Sequence, residues 1–144
     1  MESPVLLHHE DARPGLRSPK VRTILLTSIT KVLECLGTGR RESVYQCALK
    51  HELVGQLGKG VMLEYPIALQ YEGERVGVSY LDILVSQSFF IEVKATAKIG
   101  GKDVLQTRAY ARDSGLLGAL VNFKQTEKGG YEIVIVDGFK TIIF

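Results

Sequence analysis

The chain has 144 residues, of which 45% are hydrophobic and 24% charged, and its formal net charge is +2 at pH 7. This length predicts one domain, and the composition is ordinary for a soluble globular protein. The slight excess of basic residues is compatible with a polyanionic partner but does not by itself indicate one.

Features that would direct the chain to a membrane or out of the cell are missing from the sequence. No apolar run approaches the roughly 18 residues that a membrane-spanning helix needs, and the first residues lack the apolar segment of a secretory signal. Cys35 and Cys47 belong to no C-x-x-C pair, so reduced thiols are expected and zinc is not. We therefore expect an intracellular protein of the cytoplasm or nucleus, with no membrane partner.

The N-terminal residues differ in character from the rest of the chain. Residues 1–19 contain three of the four prolines and scattered charges of both signs, which predicts a flexible tail. From Lys20 onward apolar residues recur at helical spacing as far as Gly37, and a second helix is predicted over residues 42–57. A single domain is therefore predicted for residues 20–144.

After the second helix the hydrophobic pattern changes to the period of two that is typical of strands. A helix interrupts this pattern at residues 101–114. The predicted strands cover residues 61–70, 76–85, 89–94, 116–123, 131–136 and 139–144. The second and third of them are apolar at nearly every position, which predicts central strands covered on both faces. The element order is ααβββαβ with additional C-terminal strands, an α/β fold.

Ionisable residues interrupt the two most hydrophobic strands, where each uncompensated charge costs several kcal/mol. A three-residue turn centred on Gln87 would place Asp82 directly opposite Glu92, with Cβ atoms roughly 5 Å apart. Lys94 lies two residues after Glu92 and therefore faces the same side. Opposed carboxylates favour a divalent cation such as Mg²⁺, with Lys94 positioning water or stabilising phosphate charge. The alternative is a structural cluster of ion pairs without a metal.

Three further polar residues could belong to the same site. Gln106 and Tyr110 are four residues apart and project from one face of their helix. Glu42 opens the second helix, where a carboxylate also interacts favourably with the helix dipole. Each has an ordinary structural explanation when taken singly. Their order along the chain is harder to attribute to chance: Glu42, Asp82, Glu92, Lys94, Gln106, Tyr110.

This order resembles the PD-(D/E)xK nuclease superfamily, and residues 39–45, Gly-Arg-Arg-Glu-Ser-Val-Tyr, are similar to the signature of its GxxExxY family. The resemblance extends over residues 20–125. Further matching segments are residues 65–67, 82–85, 91–95 and 118–123. It implies a restriction-endonuclease-like αβββαβ core, with a mixed central sheet flanked by helices, an extra N-terminal helix and C-terminal strands.

The resemblance also implies a reaction and roles for individual residues. The reaction would be hydrolysis of phosphodiester bonds in DNA, dependent on Mg²⁺ or Mn²⁺. Asp82 and Glu92 would bind the metal together with the backbone carbonyl of Val93, and Glu42 would be a further ligand or support the attacking water. Lys94 would be the catalytic lysine. Gln106 and Tyr110 match a Q-x-x-x-Y element that lies beside the active site in branches containing lambda-type exonucleases.

Basic residues near the motif helices are candidates for contacts with phosphate oxygens, although ordinary surface charge explains each one equally well. These candidates are Arg40, Arg41, Lys98, Lys102, Arg108 and Arg112. A domain of this size offers limited surface to hold a duplex, which suggests a homodimer as a hypothesis. Two alternatives to a nuclease stay open. One is a catalytically silent protein of the same fold that binds DNA as an architectural module, and the other is a protein-interaction module with a structural ionic cluster.

Overall fold

The structure, a computed structural model, describes residues 15–144. Within this part the chain forms three helices and six strands. The helices are α1 (Pro19–Leu36), α2 (Glu42–Leu57) and α3 (Gly101–Ser114). The strands are β1 (Val61–Tyr71), β2 (Glu74–Val85), β3 (Phe89–Lys94), β4 (Leu117–Phe123), β5 (Tyr131–Val136) and β6 (Thr141–Ile142). None of the helices in the described part is both long and apolar enough to cross a membrane.

The six strands form one mixed sheet in the order β1-β2-β3-β4-β5-β6. Strands β3 and β4 are parallel, and the other neighbouring strands are antiparallel. A parallel pair needs a long crossover connection, and α3 supplies it between β3 and β4. The predicted restriction-endonuclease-like αβββαβ core, with its extra N-terminal helix and C-terminal strands, is therefore confirmed.

Hydrophobic cores cover both faces of the sheet. The larger core packs α1 and α2 on one face, and in it the ring of Tyr45 from α2 stacks on that of Phe123 from β4, with centroids 4.5 Å apart. The smaller core lies under α3 and contains Phe90 and Ala111. Gly118 in β4 lies beside Phe90 in β3, and a Cβ atom on this glycine would overlap the Phe90 ring. The close packing of β3 against β4 therefore requires glycine at this position.

The predicted central position of β2 holds for only part of the strand. Residues 81–85 are buried except for the half-buried Asp82, whereas residues 74–80 contain no buried residue, and Val76 is 63% exposed. The reason is that β3 pairs with β2 only at residues 83–85, so the first half of β2 has β1 as its partner and extends beyond the core. The last strand is also shorter than residues 139–144, since only Thr141–Ile142 pair with β5.

The folded part begins before Lys20. Leu16, which the sequence assigned to the tail, is 1% exposed and belongs to the larger core. Ser18 caps α1 by accepting a hydrogen bond from the N–H of Val21 at 3.4 Å, and Pro19 is the first helical residue. This Ser-Pro start is a common helix N-terminus. The rest of the predicted tail, residues 1–14, lies outside the described residues.

Candidate active site

The hairpin of β2 and β3 has the predicted register. Its last backbone pair is Ile83 with Ile91, and the next pair in the same register is Asp82 with Glu92. At this pair, carboxylate oxygens accept the backbone N–H groups that would otherwise bond to backbone carbonyls. The N–H of Val93 donates to Oδ2 of Asp82 at 2.8 Å, and the N–H of Asp82 donates to Oε1 of Glu92 at 3.1 Å. Each carboxylate is therefore held by the backbone of the opposite strand and has a second oxygen that these bonds do not use.

The pairing between β1 and β2 is interrupted at the same place. Leu63 pairs with Ile83 and Tyr65 with Leu81, but Glu64 and Asp82 between them form no ladder pair. Glu64 has a φ of 51°, in the left-handed region that side chains other than glycine rarely adopt. At Asp82, therefore, the pairing of β2 with β3 ends and its pairing with β1 is interrupted for one position.

Gln46 on α2 bridges this break. Its side-chain Nε2 donates to the backbone carbonyl of Asp82 and to Oε1 of Glu64, at 3.0 Å each, and the residue is only 7% exposed. Sequence reasoning missed both Gln46 and Glu64. A signal was available for Gln46, because it lies one helical turn after Glu42 and so on the same face of α2.

Burial and mutual repulsion dominate the electrostatics of the two central carboxylates. Glu92 is 4% exposed, and burial together with the charge of Asp82 raises its pKa to about 9. Burial also raises the pKa of Asp82, with further contributions from the charges of Glu64 and Glu42, against the lowering effects of the Val93 N–H and of Lys94. The site thus concentrates acidic groups around a single lysine, an arrangement that a bound cation would stabilise.

Lys94 and two residues of α3 complete the arrangement. The ammonium of Lys94 donates to Oε1 of Gln106 at 3.4 Å and lowers the pKa of both Asp82 and Glu92, so it lies near both carboxylates. Burial raises the pKa of Tyr110, and the charges of Glu92 and Asp82 add to this effect. Gln106 and Tyr110, four residues apart, therefore both face the acidic pair, as their spacing predicts.

Glu42 approaches the same site from α2. It is exposed in the first turn of the helix, and its charge contributes to the raised pKa of Asp82. The structure thus brings the six residues of the predicted catalytic set to the place where the pairing of β2 with β3 ends, with Glu42 on the helix of one face of the sheet and Gln106 and Tyr110 on the helix of the other.

The basic residues proposed for phosphate contacts divide into two groups. Arg40, Arg41, Lys98 and Lys102 are exposed near the starts of α2 and α3, the helices that carry Glu42 and Gln106. Arg108 and Arg112 instead contact the β5–β6 region. Their guanidinium groups donate to the Thr141 hydroxyl at 3.5 Å and to the Gly138 carbonyl at 2.8 Å, respectively. The structure therefore gives these two arginines a structural contact and does not bring them to the acidic pair.

A buried amide holds the loop that follows Lys94. Asn122 is fully buried in β4, opposite Lys94, and its Oδ1 accepts the N–H of Thr96 at 2.9 Å. Its Nδ2 donates to the Thr96 carbonyl at 3.1 Å and to Oε1 of Glu132 at 2.9 Å. Glu132 also accepts the N–H of Ile99. The loop between Lys94 and α3 is thus fixed to β4 and β5 by side-chain bonds.

Replacing Asn122 with alanine should destabilise the fold by about 3 kcal/mol, because it empties a fully buried position and removes the side-chain hydrogen bonds to Thr96 and Glu132. Urea unfolding at pH 7 measures this loss, and Gln70→Ala, at an exposed position of β1, is the control.

The hydrogen bond from Asn122 is the main cause of the lowered pKa of Glu132. A lowered carboxyl pKa contributes stability above its unfolded value that is lost as the pH falls through the folded value. The difference in stability between wild type and variant should therefore narrow as the pH falls below 4.5, the ordinary pKa of a glutamate. A loss under about 0.5 kcal/mol would contradict a role in fixing the loop.

The donor atoms of the site fit a hard divalent cation. Within residues 15–144, no group of three or more His, Cys, Asp or Glu side chains is placed to hold a metal ion. Asp82 and Glu92 each retain an oxygen that the backbone bonds do not use, and the Val93 carbonyl is the third predicted donor. Mg²⁺ is commonly bound by one or two carboxylates and keeps several waters, whereas zinc sites use cysteine or histidine. The residues present therefore fit a hydrated Mg²⁺ or Mn²⁺ ion.

Comparisons with known proteins give one strong match. A family model described as the PD-(D/E)XK nuclease superfamily matches residues 20–134. No curated protein matches the chain. The solved structure "Crystal structure of SSO0001" is similar over 83% of this chain and 78% of its own, with 10% sequence identity and a TM-score of 0.46. The family match covers most of the chain, and its fold is the one found here, so the chain belongs to the PD-(D/E)XK nuclease superfamily.

Proposed function

We propose that this protein is a nuclease that hydrolyses phosphodiester bonds in DNA with the help of Mg²⁺ or Mn²⁺. The observation that carries the proposal is the acidic pair. Asp82 and Glu92 are held by the backbone of each other's strand, at the point where the pairing of β2 with β3 ends, with Lys94 beside them. Keeping two carboxylates so close is unfavourable for stability, and acidic groups with strongly perturbed pKa values cluster at functional sites.

The proposed roles of the residues follow from their positions. Asp82, Glu92 and the carbonyl of Val93 would hold the cation, and Glu42 would support it or a water from the first turn of α2. When bound, the cation supplies positive charge that polarises a phosphoryl oxygen and makes a water more acidic. Lys94, oriented by Gln106, holds the attacking water or stabilises the charge that develops on the phosphate. In the overall reaction the water oxygen joins phosphorus, the bond to the leaving oxygen breaks, and that oxygen takes up a proton.

Within the superfamily, we propose membership of the GxxExxY family, and the contacts of its three named residues support this. Gly39 has a φ of 91°, in the left-handed region that favours glycine. Glu42 lies near the acidic pair. Tyr45 is buried, and its hydroxyl donates to the carbonyl of Gly37 at 2.7 Å. The motif would thus combine a turn between α1 and α2, an acidic side chain at the site and an anchor in the core.

The test is cleavage of supercoiled, linear and branched DNA, and of RNA, with Mg²⁺, Mn²⁺ or EDTA. We expect cleavage of DNA only when a divalent cation is present, and loss of cleavage in Asp82→Asn. Cleavage that survives this substitution would overturn the proposed site. Salt-sensitive DNA binding without cleavage of any substrate would favour the silent architectural module. Absence of cleavage, DNA binding and cation binding would favour the protein-interaction module.

A further inference from the structure

Glu64 is an acidic residue of the edge strand β1 that lies opposite Asp82. The pairs on either side, Leu63 with Ile83 and Tyr65 with Leu81, fix this placement, although the two residues themselves form no ladder pair. The charge of Glu64 reaches the Asp82 carboxyl, since it contributes to the raised pKa of that group. Glu64 is therefore a neighbour of the acidic pair, on the opposite side of β2 from β3, the strand that carries Lys94.

The backbone of Glu64 adopts a conformation that is unfavourable for its residue type. Its φ of 51° lies in the left-handed region, inside a strand of 11 residues. Outliers of this kind inside regular structure persist only when surrounding contacts maintain them, and they cluster at functional sites. Glycine or asparagine would adopt this φ more easily than glutamate. The fold therefore retains a carboxylate where another side chain would be more stable.

Gln46 is the contact that maintains this arrangement. A single buried Nε2 atom donates both to the Asp82 carbonyl and to Oε1 of Glu64, at 3.0 Å each. One Glu64 oxygen is thus fixed beside the Asp82 backbone, while the side chain as a whole is exposed to solvent. Within the described part of the chain Glu64 does not complete a group of three side chains placed to hold a metal ion.

A role through water is consistent with all of these contacts. Mg²⁺ and Mn²⁺ sites built on one or two carboxylates retain several waters, and those waters need hydrogen-bond acceptors. We infer that Glu64 is a further residue of the cation site, and this inference rests on the nuclease function proposed above. Its carboxylate accepts hydrogen bonds from the water shell of the cation, and Gln46 is the positioning residue that holds it beside Asp82.

The experiment measures binding of Mn²⁺ alone to the full chain by electron paramagnetic resonance, in wild type, Glu64→Gln and Asp82→Asn. Glutamine can still accept the bond from Gln46 but lacks the negative charge, so we expect about tenfold weaker Mn²⁺ binding in Glu64→Gln. Glu72→Gln is the matched control, because Glu72 is also an exposed glutamate with a positive φ, 50°, but lies in the distal β1–β2 turn. This control should stay within about twofold of wild type.

A second measurement separates a cation-binding role from a structural one. Glu64→Gly removes the backbone strain and the carboxylate together, so it should raise the melting temperature of the cation-free protein while weakening Mn²⁺ binding. Glu64→Asp, which keeps a carboxylate, should retain more Mn²⁺ affinity than Glu64→Gly. Gln46→Met should weaken Mn²⁺ binding in the same direction as Glu64→Gln, because the carboxylate loses the bond that holds it.

The outcomes distinguish this inference from the function on which it rests. Mn²⁺ binding that is lost in Asp82→Asn but unchanged in Glu64→Gln would overturn the inference and leave the proposed function standing. Wild-type protein that binds no Mn²⁺ would overturn the proposed metal site and the inference with it. A Glu64→Gly protein that is less stable than wild type, with unchanged Mn²⁺ affinity, would assign Glu64 a purely structural role.

Discussion

Lys94→Met should slow DNA cleavage by about 100- to 1000-fold and leave Mn²⁺ binding nearly unchanged. Removing one preorganised donor from the place where negative charge develops in the transition state slows the chemical step by about this factor. Methionine has an unbranched side chain, one heavy atom shorter than that of lysine, and carries no charge, and the position is only half-buried, so the fold should tolerate it. The measurement is single-turnover cleavage at saturating cation, which reports the chemical step rather than binding.

The control for this prediction is another lysine that lies outside the site. Lys128 is exposed in the turn between β4 and β5, and Lys128→Met removes the same charge. It should cleave DNA at close to the wild-type rate. If Lys94→Met cleaves DNA as fast as Lys128→Met, Lys94 has no part in the chemical step. If Lys94→Met instead fails to bind Mn²⁺, its role is to shape the carboxylate pair.

Glu92→Gln should abolish Mn²⁺ binding and DNA cleavage and, at the same time, stabilise the cation-free protein by about 1–3 kcal/mol at pH 8. Glutamine can still accept the Asp82 N–H through its Oε1 atom, as Glu92 does at 3.1 Å. It removes a group that burial and the neighbouring carboxylate make costly to ionise. Chemical denaturation with chelator present measures the gain in stability, and Glu127→Gln, at an exposed position, is the control.

The pH dependence of this gain has a definite sign. The pKa of Glu92 rises from 4.5 to about 9 in the folded protein. The folded state therefore holds a proton that the unfolded state has lost, and wild-type stability falls as the pH rises between these two values. Glutamine carries no titrating proton, so the stability that Glu92→Gln gains over wild type should be small near pH 4.5 and should grow toward pH 9. A variant that is less stable than wild type at pH 8 would contradict this interpretation.

The same raised pKa predicts that cation binding displaces a proton. Glu92 must ionise to bind a cation, so Mn²⁺ binding at pH 7 should release about one proton and strengthen as the pH rises. Calorimetry in buffers with different ionisation enthalpies counts this proton directly.

The fold class and the central pair were predictable from the sequence because both depend on local patterns. Hydrophobic periodicity distinguishes helices from strands, and a three-residue turn sets the register that places Asp82 opposite Glu92. Helical spacing similarly placed Gln106 and Tyr110 on one face of α3. These features depend on neighbours in sequence, so no tertiary contact is needed to infer them.

Other features were decided by contacts between distant segments. Residues 76–80 were predicted to belong to a buried strand, yet none of them is buried, because β3 pairs with β2 only at residues 83–85. Arg108 and Arg112 are candidates for phosphate contacts in the sequence, and only the structure shows that their guanidinium groups donate to Thr141 and Gly138. Asn122 gives no local sign that it fixes the loop after Lys94.

The sequence by itself determined that Asp82, Glu92 and Lys94 face one another, since a turn and an alternating strand pattern suffice for that. Only the tertiary structure revealed that Glu64 and Gln46 accompany them. The left-handed backbone of Glu64 has no sequence signature. The hydrogen bond from Gln46 to the Asp82 carbonyl joins two residues that are 36 positions apart in the chain. Such contacts exist only after α2 has packed against the sheet, because the packing brings the amide to the broken ladder.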